Sequence, residues 1–246
     1  MTSLADQLRP AERIVFFTGA GASTEPPTCL PDFRSAKGLW KNRTLMQTLT
    51  RGTFFADPEG FWETFREVFL PWKKALPNPV HQAPARLSRL GKDVGVVTQN
   101  IDGLDARCAT GYPVFELHGH LRTATCPACA KRFPTEQCEQ GVPRCGCGAV
   151  LKPDVVLFDD PLDMDGAFLP ARRRLFDADL IVVVGTSLTV APANSLVLEQ
   201  AGTPMAFLNR DPTPYDDLAV LLERRPAGQV LDEALDELEG AAGPMT

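Results

Sequence analysis

The chain has 246 residues, 44% of them hydrophobic and 23% charged, with a formal net charge of −6. This is the composition of an ordinary globular protein, long enough for one domain or for a large domain carrying a small insert. The acidic balance argues against nucleic-acid binding by phosphate neutralisation. No apolar run reaches the roughly 18 residues of a membrane span, and the start of the chain lacks the basic and apolar segments of a secretory signal, so a cytoplasmic protein is expected.

In chain order, Ile14-Val15-Phe16-Phe17 is a short apolar run that leads into Gly19-Ala20-Gly21-Ala22-Ser23. A buried strand followed by small residues is what a parallel sheet needs where its backbone approaches a diphosphate. The motif lacks the third glycine of the dinucleotide fingerprint, so a plain strand-to-loop turn is the other reading. Three prolines between Glu25 and Pro31 exclude a regular helix there, and residues 22–42 are expected to form a loop over the sheet. That loop carries Pro31-Asp32-Phe33-Arg34, a ring beside a guanidinium, suited to covering a ligand ring and pairing with phosphate oxygens.

Residues 58–70 place Phe61, Trp62, Phe65, Val68 and Phe69 at helical spacing, and a second helix is expected from near Pro79 to Gly91, with Pro84 tolerable only in its first turn. His81, on that helix, reads as a structural hydrogen-bonding residue. A buried strand from Asp93 to Thr98 runs into Gln99-Asn100-Ile101-Asp102-Gly103, and another, from Pro113 to Leu117, ends at His118-Gly119. Polar side chains at the carboxyl ends of such strands are where an open α/β sheet binds its ligands.

Five of the seven cysteines lie between positions 126 and 147. In a reducing compartment this crowding reads as a metal site before disulfides. Cys126 and Cys129 with Cys145 and Cys147 come close to the spacing of a four-cysteine zinc ribbon. The single residue between Cys145 and Cys147 is a departure, and Cys138 or His120 are alternative ligands. Further on, Val155-Val156-Leu157-Phe158 reads as a short strand and Arg172-Arg173-Arg174 as a solvated helix face. Leu180 to Val184 is a buried strand ending in Gly185-Thr186-Ser187, followed by a helix over 192–201. Met205 to Leu208 is the last clear strand, ending at Asn209, and 230–238 is an amphipathic acidic helix.

Six of these motifs, in this order, resemble the sirtuin family of NAD-dependent protein deacylases: Gly19-Ala20-Gly21, Pro31-Asp32-Phe33-Arg34, Thr98-Gln99-Asn100-Ile101-Asp102-Gly103-Leu104, His118-Gly119 with the cysteine module, Lys152-Pro153-Asp154-Val155-Val156, and Gly185-Thr186-Ser187-Leu188 through to Asn209. The resemblance implies an α/β fold, a doubly wound parallel sheet of Rossmann type with a small inserted zinc-ribbon module. Residues 1–120 and 152–246 would form the NAD-binding domain and 121–151 the module, with the helical part of the small lobe drawn from 35–75.

The resemblance also implies roles. Gly19, Ala20 and Gly21 would let backbone N–H groups reach the pyrophosphate, with Arg34 pairing to it and Asp32 and Phe33 beside the nicotinamide ribose. Gln99, Asn100, Ile101 and Asp102 would hold the nicotinamide end, and Gly185, Thr186, Ser187 and Asn209 the adenosine end. His118, assisted by Asn100, would act as catalytic general base toward a ribose hydroxyl. Val155, Val156 and Phe158 would bind the acyl-lysine peptide by strand addition. NAD would be a consumed co-substrate and Zn²⁺ structural, and acyl-lysine proteins or peptides would be the partners.

This chain departs from the family pattern in a longer loop at 23–31, in Ala22, in His120, and in Phe158-Asp159-Asp160. Succinyl- and malonyl-preferring members resemble one another in a Tyr-x-x-Arg pair, and alignment on Trp62 puts Phe65 and Val68 there. Acetyl or longer apolar acyl groups are therefore expected. ADP-ribosyl transfer or NAD hydrolysis is the rival on the same fold, and a non-catalytic NAD- or ADP-ribose-binding module is the rival of another class.

Overall fold

The computed structural model describes residues 3–33, 38–200 and 202–242. Arg34 lies outside the described residues. The helices are α1 (Leu4–Leu8), α2 (Arg43–Thr48), α3 (Arg51–Ala56), α4 (Pro58–Phe69), α5 (Pro79–Arg89), α6 (Leu104–Cys108), α7 (Leu169–Phe176), α8 (Ser195–Leu198) and α9 (Ala227–Ala242). The strands are β1 (Arg13–Thr18), β2 (Asp93–Thr98), β3 (Val114–Glu116), β4 (Gly119–Thr125), β5 (Arg132–Pro134), β6 (Lys152–Val155), β7 (Leu180–Val184), β8 (Met205–Leu208) and β9 (Leu221–Glu223).

Among the described residues, one sheet has the order β3-β2-β1-β7-β8-β9 with every pairing parallel. Its central strands are apolar on both faces, as helices on both sides require. Ile14, Phe16, Val94, Val96, Val182 and Val184 enter one core with residues of α1, α5 and α9. The alternate residues Val15, Phe17, Val97, Ile181 and Val183 enter another with residues of α7 and α8. Strand order reverses direction at β1, which is the switch point where a crevice opens at the carboxyl ends.

The second sheet, β5-β4-β6, is antiparallel. Its residues Leu121 and Ala124, with Leu151 just before β6, share a core with Phe54, Phe61, Trp62, Phe65, Phe69 and Trp72 from α3, α4 and the turn that follows. The Trp62 indole N–H donates to the Leu151 carbonyl at 3.0 Å, fixing α4 to this small sheet.

Several elements differ from the sequence reading. The strand expected over 155–158 runs instead from Lys152 to Val155, because Asp160 turns the chain. Its Oδ2 accepts the Leu157 N–H at 3.0 Å and its own N–H donates to the Leu157 carbonyl. The helix expected over 192–201 shrinks to α8, which follows a series of turns that includes Ser195 N–H to Pro192 O at 3.0 Å. Pro84 sits buried in the second turn of α5, beyond the first turn that the expectation allowed. β9 adds a strand after β8 at the sheet edge. The arginine run belongs to α7, yet Arg174 is more than a solvated face: it folds under Gly95 and pairs with Asp93. No helix among the described residues is long and apolar enough to cross a membrane.

Candidate active site

A cavity of about 720 Å³ opens at the carboxyl ends of the large sheet and is walled on its far side by the segment after β6. The loop after β1 contributes Gly19, Ala20, Gly21 and Glu25, followed by Asp32 and Phe33. The β2 end contributes Gln99, Asn100 and Ile101, and the β3 end His118. Val155, Val156 and Phe158 line the opposite wall, and Gly185, Thr186, Ser187 and Asn209 complete the floor. Asp102 lines a small adjoining recess with Ser23, Asn100, Ile101 and Trp72. The structure thus gathers the site residues read from sequence around this cavity and, for Asp102, the recess beside it, apart from Arg34, which is not described, and the cysteines, which form their own cluster.

The two glycine loops meet tightly. Gly21 N–H donates to Gly185 O at 2.8 Å, Gly185 has φ +62°, and a Cβ on Gly185 would fall 2.2 Å from the Ala22 nitrogen. Small residues are therefore needed here for loop-to-loop packing as well as for any ligand. Asn209 is buried and pins the same turn: its Oδ1 accepts Thr186 N–H at 3.0 Å and its Nδ2 donates to Thr186 O at 2.7 Å. Gln99 spans the cleft by donating from Nε2 to Thr186 Oγ1 at 3.0 Å.

A buried relay orders the recess. The Asn78 N–H lies 3.2 Å from His81 Nδ1, and since an amide can only donate, Nδ1 is the lone-pair nitrogen and Nε2 carries the proton. Nε2 then faces Ser23 Oγ at 3.2 Å, and Ser23 donates to Asp102 Oδ2 at 2.8 Å. Asp102 Oδ1 in turn accepts Leu104 N–H at 2.9 Å. Asn100 Nδ2 donates to Gly19 O at 3.1 Å and reaches Ser23 Oγ at 3.3 Å, while its Oδ1 takes part in neither bond. His81 thus uses both ring nitrogens in hydrogen bonds, to Asn78 and to Ser23.

His118 has the opposite tautomer. Its Nδ1 lies 2.9 Å from the Gln99 carbonyl oxygen, which can only accept, so Nδ1 holds the proton and Nε2 is the basic nitrogen of the neutral ring. Gly119, which follows, has φ +74°, and a Cβ there would lie 2.1 Å from Asp154 O, so no other residue lets β4 turn against β6 directly after the imidazole.

Cys126, Cys129, Cys145 and Cys147 bring their sulfurs within 4.8 Å of one another, with Cys126–Cys147 and Cys129–Cys145 each at 3.5 Å. Tetrahedral Zn–S bonds require sulfurs about 3.8 Å apart, so the set fits the ion. Backbone N–H groups of Ala128 and Cys129 point at Cys126, those of Lys131 and Ala149 at Cys129 and Cys147, which suits thiolate ligands. The short Cys145-x-Cys147 step closes the set without help. Cys138 is buried in the apolar core, which pushes its thiol up to about 11, and neither it nor His120 belongs to the cluster.

Sequence reasoning missed several residues that the cavity uses. Trp72 packs edge-on against Phe69 at 4.9 Å and lies 5.7 Å from Phe33, so two rings, Phe33 and Trp72, wall the recess and Phe69 backs them. Leu49 and Phe69 supply an apolar end. Glu25 is buried and its carboxylate accepts Ala227 N–H at 2.8 Å and Gly228 N–H at 2.9 Å, capping α9. Helical periodicity announced Phe69 as a core residue, but nothing local tied Glu25 to a helix two hundred residues away.

A doubly wound sheet with a ligand crevice at its switch point, joined to a four-cysteine module, defines a nucleotide-binding α/β protein of the zinc-ribbon-bearing kind. The model of the Sir2 family matches residues 19–192, and the chain belongs to that family. It is 39% identical over 92% of its length to NAD-dependent protein deacetylase 1 of Pyrobaculum aerophilum, covering 90% of that protein. It is also 39% identical over 93% of its length to the NAD-dependent protein deacetylase of Bacillus subtilis, covering 96% of it. A solved complex of a Sir2 homologue with NAD superposes with a TM-score of 0.86 at 35% identity, over 97% of this chain and 93% of that one.

Proposed function

We propose that this protein removes acyl groups, acetyl above all, from lysine side chains of proteins in a reaction that consumes NAD. The observation that carries the reading is His118: an imidazole whose Nδ1–H is held by the Gln99 carbonyl, on the same cavity as the two glycine loops and beside the Asn100–Asp102 recess. Relatives named as NAD-dependent protein deacetylases support it. NAD supplies the nicotinamide leaving group and the ribose hydroxyl that collects the acyl group.

This chain's residues then divide the work. Ala20 would offer its N–H to the pyrophosphate, since the Gly19 N–H is taken by Val184 O and the Gly21 N–H by Gly185 O. Gly185, Thr186 and Ser187 receive the adenosine end, with Asn209 acting on it through the Thr186 backbone it holds. Asn100 and Asp102 orient the nicotinamide end, Asp102 through the Ser23 hydroxyl that it draws toward itself. Phe33 and Trp72 exclude water from the recess. His118 Nε2 takes the proton of the ribose hydroxyl. Val155 and Val156 pair with the peptide backbone, and Phe158 abuts it. The four thiolates would hold Zn²⁺ in a closed site with no position for substrate, and a cytoplasmic setting keeps such thiols reduced. We assign residues 121–151 to the zinc module, with the helices within 35–75 completing the small lobe.

Nicotinamide release tests the reading: it is expected to require both NAD and an acetyl-lysine peptide, and release at the same rate without peptide would favour NAD hydrolysis instead.

A further inference from the structure

Asp105 lies outside every wall of the cavity, on α6, and only 3% of it is exposed. Its Oδ2 lies 3.2 Å from Thr18 Oγ1, and the hydroxyl of Thr98 acts on the same carboxyl. The two hydroxyls are 2.7 Å apart. Thr18 and Thr98 are the last residues of β1 and β2 and face each other in register. From them leave the loop 19–23 and the stretch 99–103, which supply Ala20, Ser23, Asn100, Ile101 and Asp102 to the recess.

The connection continues to Asn100. Thr98 Oγ1 accepts Asn100 N–H at 3.1 Å, Gln99 N–H donates to Thr18 O at 3.0 Å, and the Asn100 side chain returns to Gly19 O. A hydroxyl has a single proton to give. The Asp105 carboxyl takes the proton of one of the two threonine hydroxyls, the other hydroxyl's proton closes the 2.7 Å contact between them, and in either arrangement Thr98 keeps a lone pair for the Asn100 amide. Without that acceptor the hydroxyl is free to rotate, and Asn100 loses a fixed partner.

A carboxyl is a costly way to fill this space. Burial pushes the Asp105 acid up from the ordinary carboxylate range, against the pull of His81 and the two threonines. A small apolar residue would pack there without that penalty.

We propose that Asp105 is a positioning residue for the NAD reaction, fixing Asn100 through the Thr98 hydroxyl and tying the ends of β1 and β2 into one unit, without itself touching substrate. The proposal rests on the NAD-dependent reading above.

The test uses the full chain as D105A, D105N, T98V and the double variant D105A/T98V, with unfolding temperature, NAD affinity by calorimetry, and KM for NAD and for peptide measured on each. D105A and T98V are each expected to raise the NAD Kd and KM about tenfold while peptide KM stays within twofold, as slight misplacement of a substrate-orienting group does. The double variant is expected to be no worse than the poorer single one, because both break one relay. D105N keeps an acceptor oxygen and is expected to recover most of the affinity. T98V is nearly isosteric and reads the relay even if D105A does not fold. NAD affinity unchanged in T98V, additive losses in the double variant, or equal rises in both KM values would each overturn the proposal. Calorimetry keeps the test separate from the reaction: a wild-type chain that binds NAD but leaves acetyl-lysine intact would sink the deacylase reading and still report whether Asp105 orders the NAD site.

Discussion

His118 Nδ1 lies 2.9 Å from the carbonyl oxygen of Gln99, and the side chain of the same Gln99 donates across the cleft to Thr186. One residue therefore sets the tautomer of the base through its backbone and bridges the adenosine-side loop through its amide. His118→Ala is expected to bind NAD with an affinity within a fewfold of wild type and to lose deacylation by roughly 10²–10⁴, the usual worth of a general base. Full turnover in that variant would remove His118 from the mechanism.

The Gln99 side chain makes a second, separable prediction. Gln99→Ala leaves the carbonyl that orders His118 and deletes only the bridge to Thr186. KM for NAD should rise severalfold while kcat for bound substrate changes little. A fall in kcat with an unchanged KM would mean that the bridge serves the base and not the nucleotide.

Acyl preference follows from α4. Phe65 is fully buried, stacked on Phe61 at 5.7 Å and against Phe69 at 5.3 Å, and Val68 is half-buried beside them. The cavity end formed by Leu49 and Phe69 is apolar. Leu49, Phe69, Phe65 and Val68 offer no cation to replace the hydration that an acidic acyl group placed beside them would lose. Matched peptides should show acetyl-lysine processed faster than succinyl-lysine, and the reverse order would contradict this assignment.

Metal removal should act through the fold. The cysteine cluster sits on the small sheet whose Leu151 carbonyl holds Trp62, and Trp62 belongs to the ring cluster that ends at Phe69 on the cavity wall. Cys145→Ser, or a strong chelator, should release one zinc per chain, lower the unfolding temperature and abolish activity together. Activity retained by metal-free protein would show that the ion has no structural role here.

Glu25 offers a stability test. Glu25→Ala leaves the first N–H groups of α9 buried without their carboxylate and should cost about 1–3 kcal/mol in urea unfolding, the range for hydrogen bonds to a charged group. Glu25→Gln, which keeps one acceptor oxygen, should cost less. Equal losses in the two would make the effect one of packing.

The central parallel strands were legible because a strand buried on both faces is a continuous apolar run, and the motifs at their ends named the cavity almost residue by residue. The cysteine cluster was legible from spacing, but the segment holds five cysteines, and only the fold leaves Cys138 and His120 out of the set. What escaped had its cause at long range. β4 and β5 are largely half-exposed strands without a continuous apolar run, and their pairing depends on the cysteine turns. The segment 155–158 looked like a strand because it is apolar, but Asp160 bends it, and its apolar side chains face the cavity. The glycines at 21 and 185 read as a ligand cradle when each is also required by the other. Glu25 and Asp105 sit on a loop and a short helix with no periodic signature, and only the folded chain brings them to α9 and to Thr18.

The most direct measurement incubates the protein with NAD and an acetyl-lysine peptide and resolves the products by mass. Free lysine peptide, nicotinamide and O-acetyl-ADP-ribose in equal amounts are the predicted result. Bare ADP-ribose with the peptide still acetylated, or NAD left intact, would contradict the account.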